Sequence, residues 1–108
     1  MNPLDIARQI AELTAENSRG ADALYEAEVR LAEAENELDL VEQRAFIKAE
    51  GTVADRTALA RLEAAEARLQ RDLRKAVANR IRVKIKALET AIMAAATQAK
   101  LIASELKV

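Results

Sequence analysis

The stretch Ala49-Glu50-Gly51-Thr52-Val53-Ala54-Asp55 lies near the middle of a chain of 108 residues. A helical pattern occupies most of the sequence on both sides of it. Glycine readily adopts the left-handed conformation that ends a helix, and Gly51 is one of only two glycines in the chain. Thr52 can then cap a second helix, with Asp55 as the acid of a capping box. We therefore expect a helix bend at Gly51, Thr52 and Asp55.

The composition indicates long helices rather than a compact globule. Alanine supplies 25 residues, and only Tyr25 and Phe46 are aromatic. Alanine combined with glutamate, arginine, leucine and lysine is the usual composition of long helices and coiled coils. Pro3 is the only proline, and no alternating run of β-branched and aromatic residues predicts a strand. The sequence predicts an all-α fold, in which residues 1–108 form one domain, a long antiparallel helical hairpin of the coiled-coil type.

The first helix is predicted from about residue 3 to residue 50. Asn2 can cap it, and Pro3 suits its first position. Beyond this start, core positions repeat every seven residues through six heptads without a change of register, which is typical of a coiled coil. The two series of core positions are Ile10, Asn17, Leu24, Leu31, Leu38 and Ala45, and Ile6, Leu13, Gly20, Ala27, Ala34 and Val41.

Two of these core positions, Asn17 and Gly20, hold residues that are unfavourable in the core of a coiled coil. Glycine inside a helix costs about 1 kcal/mol relative to alanine, so the helix could break near residues 17–20. The unchanged register across these residues favours a continuous helix. Asn17 is either a buried amide that sets the register or a frayed, solvated position, and the sequence does not separate the two.

The second helix is predicted from Val53 to about residue 106. Three successive steps of four residues between Leu73 and Ile85 behave like a stutter, which locally relaxes left-handed supercoiling. We expect the helix pair to be straighter there or to change partners. The predicted apolar face consists of Leu59, Leu62, Leu69, Leu73, Val77, Ile81 and Ile85, followed by Leu88, Ile92, Ala95, Ala99, Ile102 and Leu106.

The net charge of −1 conceals a division between the two halves of the chain. Residues 1–50 carry 12 acidic and 5 basic side chains, a net charge of −7. Residues 51–108 carry 6 acidic and 12 basic side chains, a net charge of +6. An acidic helix and a basic helix attract one another, so the division favours antiparallel pairing, either within one chain or between two.

Basic residues at helical spacing form a stripe on the second helix. Such a stripe could neutralise successive phosphates of single-stranded or duplex DNA, giving affinity without sequence readout. Two observations favour a salt-bridged, solvated helix face instead: the fold brings the acidic helix alongside, and no aromatic residues flank the stripe to stack bases. The candidate nucleic-acid contacts are Arg68, Arg71, Lys75, Arg82 and Lys86.

Many core positions of the predicted helix pair are alanine, which buries little area, so a single hairpin would have a small hydrophobic core. Assembly into a dimer or a higher helical bundle would supply further burial, and we expect a homo-oligomer. Leu40, Phe46 and Ile47 lie off the main seam, close to the bend. These three residues either form the contact with another copy or a protein partner, or they widen the hairpin's own core.

The chain contains no cysteine and no histidine. Disulfides, thiolate or imidazole metal sites, and catalysis by histidine or cysteine are therefore excluded. We expect no enzymatic activity, no cofactor and no small-molecule substrate. The N-terminus has no signal-peptide pattern, and the longest apolar stretch, residues 91–96, is far shorter than the roughly 20 residues that span a bilayer. The prediction is a cytoplasmic protein without a membrane partner.

Residues 45–56, AFIKAEGTVADR, resemble the central segment of small all-helical proteins encoded by bacteriophages. In that family an aromatic residue, a glutamate, Gly-Thr-Val-Ala and an acid–arginine pair recur between two long helical arms. The arms of this chain are similar in composition only. The resemblance implies an association with phage replication and recombination genes and a place in the host cell cytoplasm. It assigns no catalytic or ligand-binding residue.

Together these observations predict a non-enzymatic accessory protein that works by helix-mediated self-assembly. In one interpretation the basic stripe also contacts nucleic acid during DNA replication or recombination. In the alternative the protein is a structural coiled coil that binds protein alone, as an adaptor, scaffold, chaperone or inhibitor.

Overall fold

The computed structural model describes residues 2–106 of the chain, and these residues form three α-helices. Helix α1 is Pro3–Lys48, α2 is Val53–Glu63 and α3 is Ala65–Leu106. No strand occurs within the described residues. The predicted all-α helical hairpin is confirmed, with α1 antiparallel to α2 and α3.

Two compact units divide the hairpin. The bend unit, Tyr25–Asn79, contains the end of α1, all of α2 and the start of α3. The terminal unit pairs the part of α1 up to Leu24 with the part of α3 from Arg80 onward. Each unit is a pair of antiparallel helical segments with its own interior.

Helix α1 begins where the sequence predicts. The side-chain oxygen of Asn2 accepts a hydrogen bond from the backbone N–H of Asp5 at 2.9 Å, which satisfies one of the unpaired donors of the first turn. Asp5 adds negative charge where the helix dipole favours it. The helix then continues through residues 17–20 to Lys48 without interruption.

The heptad repeat predicted for the first helix is confirmed in α1. All twelve core positions are buried or half-buried, and Ile6, Ala27, Leu38 and Ala45 are the most deeply buried of them. The seam, meaning the line of side chains along which α1 packs against the returning helices, therefore keeps one register along α1.

Gly20 allows close contact between the helices of the terminal unit. A Cβ atom at this position would lie 3.1 Å from Cγ1 of Ile85, closer than carbon atoms normally pack. Asn17, one turn away, is half-buried, and its Oδ1 atom is buried without a hydrogen-bond partner. The amide therefore faces the interior of the helix pair rather than a frayed, solvated end.

The apolar face predicted for the start of the second helix is wrong. Ala60, Ala64 and Ala78 are buried, and Ala67 and Arg71 are half-buried, so the seam follows alternating steps of four and three residues. This alternation continues through Ile81, Ile85, Leu88, Ile92 and Ala95, and the predicted stutter is therefore also wrong. The large apolar residues predicted for the face are exposed instead: Leu59, Leu62, Leu69, Leu73 and Val77.

Side-chain size explains why alanine occupies the seam in the bend unit. Small residues at a helix interface allow two backbones to approach closely, whereas leucine at the same positions would hold them apart. Ala64 is fully buried and Ala60 is 4% exposed. Because alanine is frequent everywhere in this chain, its burial at these positions left no distinct signal in the sequence.

The predicted second helix is divided at Ala64 into α2 and α3. Ala64 has φ −86° and ψ 5°, and its N–H donates to the carbonyl oxygen of Ala60 at 3.0 Å. The guanidinium of Arg68 reaches back over this junction and donates to the carbonyl oxygen of Arg61 at 3.4 Å. Its other terminal nitrogen bonds the carboxylate of Glu42 on α1 at 3.0 Å. Arg68 thus joins α2, α3 and α1 at one point.

Candidate functional site

The bend between α1 and α2 is built as the sequence predicts. The backbone N–H of Asp55 donates to the hydroxyl of Thr52 at 3.1 Å, and the N–H of Thr52 donates to the carboxylate of Asp55 at 3.4 Å. These two bonds complete the capping box. Gly51 has φ +113°, a conformation that side chains disfavour, so a glycine is needed there. Helix α1 ends at Lys48, three residues before Gly51.

Arg56 ties α2 to the end of α1. Its Nε and Nη2 atoms donate to the carbonyl oxygen of Phe46 at 3.2 and 3.1 Å. The guanidinium carbon also lies 4.2 Å from the centroid of the Phe46 ring. A cation is stabilised at a helix C-terminus by the unpaired carbonyls, and its position over a ring adds a cation–π attraction. Arg56 therefore holds the bend in one geometry.

An open cleft of about 410 Å³ lies beside the bend. Phe46 is half-buried and Ile47 is 74% exposed, and both line this cleft. Leu40, the third residue predicted for a protein contact, is half-buried and is not among the residues that line the cleft. The other lining residues are Glu42, Gln43, Thr57, Ala60 and Arg61.

The predicted basic stripe is not uniform in the bend unit. Arg68 is half-buried and is bonded to Glu42, so its charge is engaged within the hairpin. Arg71 is also half-buried, and its Nε donates to the carboxylate of Asp72 at 2.7 Å. Lys75 is exposed. Of these three candidate contacts, Lys75 has the side chain most accessible to a nucleic acid.

The terminal unit holds the other two stripe residues. Arg82 and Lys86 are exposed on α3. Lys84, on the same stretch of helix, lies 3.9 Å from the carboxylate of Glu16 on α1. This pair, like Glu42 with Arg68 in the bend unit, joins the acidic half of the chain to the basic half, as the division of charge predicts.

A row of large apolar side chains lies along α2 and the start of α3, and we call it the leucine row. Its side chains are between 46% and 73% exposed. Leu62 and Leu69 each follow a seam alanine by two residues, a rotation of about 200°, so they point away from α1. The members of the row are Leu59, Leu62, Leu69, Leu73 and Val77.

The described residues include neither a metal-binding cluster nor a membrane-spanning helix. Within residues 2–106, no group of three or more acidic side chains lies close enough together to hold a metal ion. None of the described helices has an apolar segment long enough to cross a bilayer. The surfaces that remain for function are the cleft at the bend, the exposed cations and the leucine row.

Comparison with known proteins assigns no function to these surfaces. Neither a family model nor a curated protein nor a solved structure matches the chain. The resemblance of residues 45–56 to phage proteins stays a prediction. What the structure adds is a role in the bend for several of these residues, because Phe46, Thr52, Asp55 and Arg56 all make contacts there.

Sequence reasoning missed two features, Arg56 and the leucine row. A cation in the first turn of a helix is disfavoured by that helix's own dipole, so an arginine there signals a partner outside the helix. The leucine row was read as the hairpin's seam because it contains the larger side chains. Its spacing identified an apolar helix face correctly but did not reveal which partner the face packs against.

Proposed function

We propose that this protein is a non-enzymatic structural coiled coil that acts by helix-mediated self-assembly, as an accessory or adaptor protein. One observation carries the proposal: the most deeply buried side chains of the hairpin are mostly alanine, while many of its large apolar side chains are exposed. Of the eight most buried apolar residues, only Ile6 and Leu38 are larger than alanine. Among residues 2–106, fourteen large apolar residues are exposed.

Burial energetics support this proposal. Moving a leucine side chain from water into an interior contributes about 1.5–3 kcal/mol, whereas an alanine contributes much less. Where the seam of α2 and the start of α3 is alanine, the hairpin gains little from its own packing, and exposed apolar faces are the usual sites of protein contact. Assembly into a larger helical bundle would bury those faces. An association with phage replication or recombination rests on the resemblance of residues 45–56 alone.

The test of self-assembly is the solution mass over a range of protein concentrations. Sedimentation equilibrium of the full chain at micromolar concentration should give a mass of at least two chains. The helical content, followed by circular dichroism, should fall on dilution as the oligomer dissociates. A stably folded monomer throughout the micromolar range would overturn the proposal.

Nucleic-acid binding is a second candidate function. The observation that favours it is the exposure of Lys75 and Lys86 on the basic half of the chain. Engagement of Arg68 by Glu42 and of Arg71 by Asp72 counts against a five-residue contact. The candidate function is therefore a weak, sequence-independent contact of Lys75 and Lys86 with phosphates.

A salt titration tests this second candidate. With two phosphate contacts, duplex DNA binding should weaken roughly tenfold between about 0.05 and 0.2 M salt. The double variant Lys75→Glu/Lys86→Glu should lose binding, while Arg8→Glu/Lys100→Glu, which changes the net charge equally at exposed positions outside the stripe, should retain it. Absence of binding to single-stranded and duplex DNA at low salt would eliminate this function.

A further inference from the structure

We propose that the leucine row is the surface on which a second copy of this chain packs, antiparallel to the first. This inference rests on the proposed self-assembly and deepens it, because it names the surface, the partner and the orientation. The row runs over nineteen residues of α2 and α3 within the bend unit, from Leu59 to Val77.

The position of the row on its helices shows that the hairpin itself does not cover it. Ala60, Ala64 and Ala78 are the residues that pack towards α1, and each is less than 5% exposed. Leu62 lies about 200° further around the helix than Ala60, and Leu73 lies about 200° further around than half-buried Arg71. The row is consequently a second helix face, separate from the seam and available to another molecule.

The spacing of the row suits packing against another helix. Its members are separated by steps of three, seven, four and four residues, so they recur on one side of the helix as coiled-coil positions do. The omitted step is at Glu66, whose carboxylate accepts a hydrogen bond from Gln70 at 3.1 Å. A partner helix therefore meets four leucines and a valine with one acidic side chain among them.

The accessible area is large enough for a second copy to pack on the chain. The chain exposes 8122 Å². A folded monomer of its 11.8 kDa mass is expected to expose about 5900 Å². The excess is on the order of 2000 Å², more than the roughly 800 Å² per partner that a standard specific interface buries. Two copies can supply that burial to each other.

Charge complementarity gives the orientation. Glu63 and Glu66 lie beside the first half of the row, and Arg74 lies beside the second half, one residue after Leu73. Two copies related by a twofold axis use the same surface on both chains. If their rows run antiparallel, Glu63 and Glu66 of each copy lie towards Arg74 of the other, twice. A parallel arrangement would instead place like charges together.

Charge substitution within the row tests the surface. The variant Leu62→Glu/Leu69→Glu should be monomeric by sedimentation equilibrium at concentrations where the natural chain is an oligomer, because four carboxylates would be buried in the contact. Circular dichroism of this monomer should match that of the natural chain at a dilution where the natural chain has dissociated, since both side chains are exposed in the single hairpin. The matched control is Val83→Glu/Leu101→Glu, which adds the same charge at exposed apolar positions outside the row and should leave the oligomer intact.

Cysteine cross-linking tests the orientation, and the chain contains no natural cysteine to interfere. Leu69 is close to the middle of the row, so Leu69→Cys should form disulfide-linked pairs with itself on mild oxidation. Leu59→Cys alone should not, but a mixture of Leu59→Cys with Val77→Cys should. Cross-linking of Leu59→Cys to itself would overturn the antiparallel arrangement.

The outcomes separate this inference from the proposed function. If the natural chain assembles and the row variant assembles equally well, the leucine row is not the interface, while self-assembly stands. If the natural chain is a monomer, both fail. If the natural chain stays monomeric alone but binds a different protein through the row, the second copy is the wrong occupant and the inference is overturned.

Discussion

At the scale of single residues, the bend depends on a few side chains with separate tasks. Gly51 supplies a backbone conformation that other residues disfavour, and Thr52 with Asp55 caps α2. Arg56 then connects α2 to the last turn of α1 through the Phe46 carbonyl and ring. The cap determines where the second helix starts, and Arg56 determines how it lies against the first.

Replacing Arg56 by alanine is expected to reduce the free energy of unfolding by about 1–2 kcal/mol. The variant loses two charged hydrogen bonds to one carbonyl and a cation–π contact, of which solvent exposure discounts a part. Urea unfolding at one fixed protein concentration measures the loss. Arg61→Ala, an exposed arginine in the same helix, is the control and should change stability by less than about 0.5 kcal/mol. Equal effects in the two variants would contradict the role given to Arg56.

Gly20 offers a second test at the residue scale. Alanine normally stabilises a helix interior by about 1 kcal/mol relative to glycine. Here the added methyl group would lie 3.1 Å from Cγ1 of Ile85, so Gly20→Ala should give no such gain in the natural chain. In an Ile85→Ala background the contact is removed, and Gly20→Ala should then stabilise by the full amount.

A double-mutant cycle on Gly20 and Ile85 isolates this effect as a coupling free energy of about 1 kcal/mol or more. Urea unfolding of the four proteins supplies the measurement, and Ser18→Ala, at an exposed position on the same helix, shows how the stability of α1 responds to alanine alone. The same gain from Gly20→Ala in both backgrounds would mean that the close approach of Ile85 has no energetic consequence.

At the scale of elements, the sequence predicted α1 better than α2 and α3. The heptads of α1 carry leucine and isoleucine at seam positions, so a pattern of large apolar residues identifies the buried side. On α2 and the start of α3 the largest residues form the leucine row, and the seam consists of alanine. A periodic pattern reveals that a helix has an apolar face. When a helix has two apolar faces, the pattern does not say which of them packs against the neighbouring helix.

The seam assignment leads to a prediction about neighbouring alanines. Ala64→Leu should destabilise the protein by about 1–3 kcal/mol, because Ala64 is fully buried and added methyl groups have no space. Ala65→Leu should be close to neutral, since Ala65 is exposed and the helix propensities of the two residues are similar. Thermal unfolding of both variants at equal concentration provides the comparison. A larger loss for Ala65→Leu would contradict the assignment of Ala64 to the seam.

The candidate surfaces could be predicted only in part, for a related physical reason. The bend residues follow local rules of helix capping, which depend on a few adjacent residues, so the sequence indicates them directly. The ion pair between Arg68 and Glu42 joins residues that are 26 positions apart in the sequence. It therefore depends on the register between two helices, which local rules do not give. A seam placed on the leucines of α2 and α3 shifts that register, and the sequence therefore predicts a solvent-facing side chain for Arg68.

At the scale of the whole molecule, the charge division between the halves of the chain should make its stability depend on salt. Cross-helix pairs occur in both units, for example Glu42 with Arg68 and Glu16 with Lys84. Each exposed pair contributes at most about 1 kcal/mol, but the net charges of −7 and +6 on the two halves act together. Raising the salt concentration from about 0.01 to 1 M shortens the Debye length from about 30 to 3 Å. Attraction between the halves is then screened.

We therefore expect the free energy of unfolding, measured in urea, to fall by about 1 kcal/mol over this range of NaCl. The control is a charge exchange in the terminal unit. Glu16→Lys alone should be less stable at low salt, with the difference shrinking at high salt, because it places a cation opposite Lys84. Adding Lys84→Glu restores an opposite-charge pair and should recover most of the loss. Stability that rises with salt in the natural chain would mean that burial of the apolar faces, rather than pairing of acidic and basic helices, dominates the response.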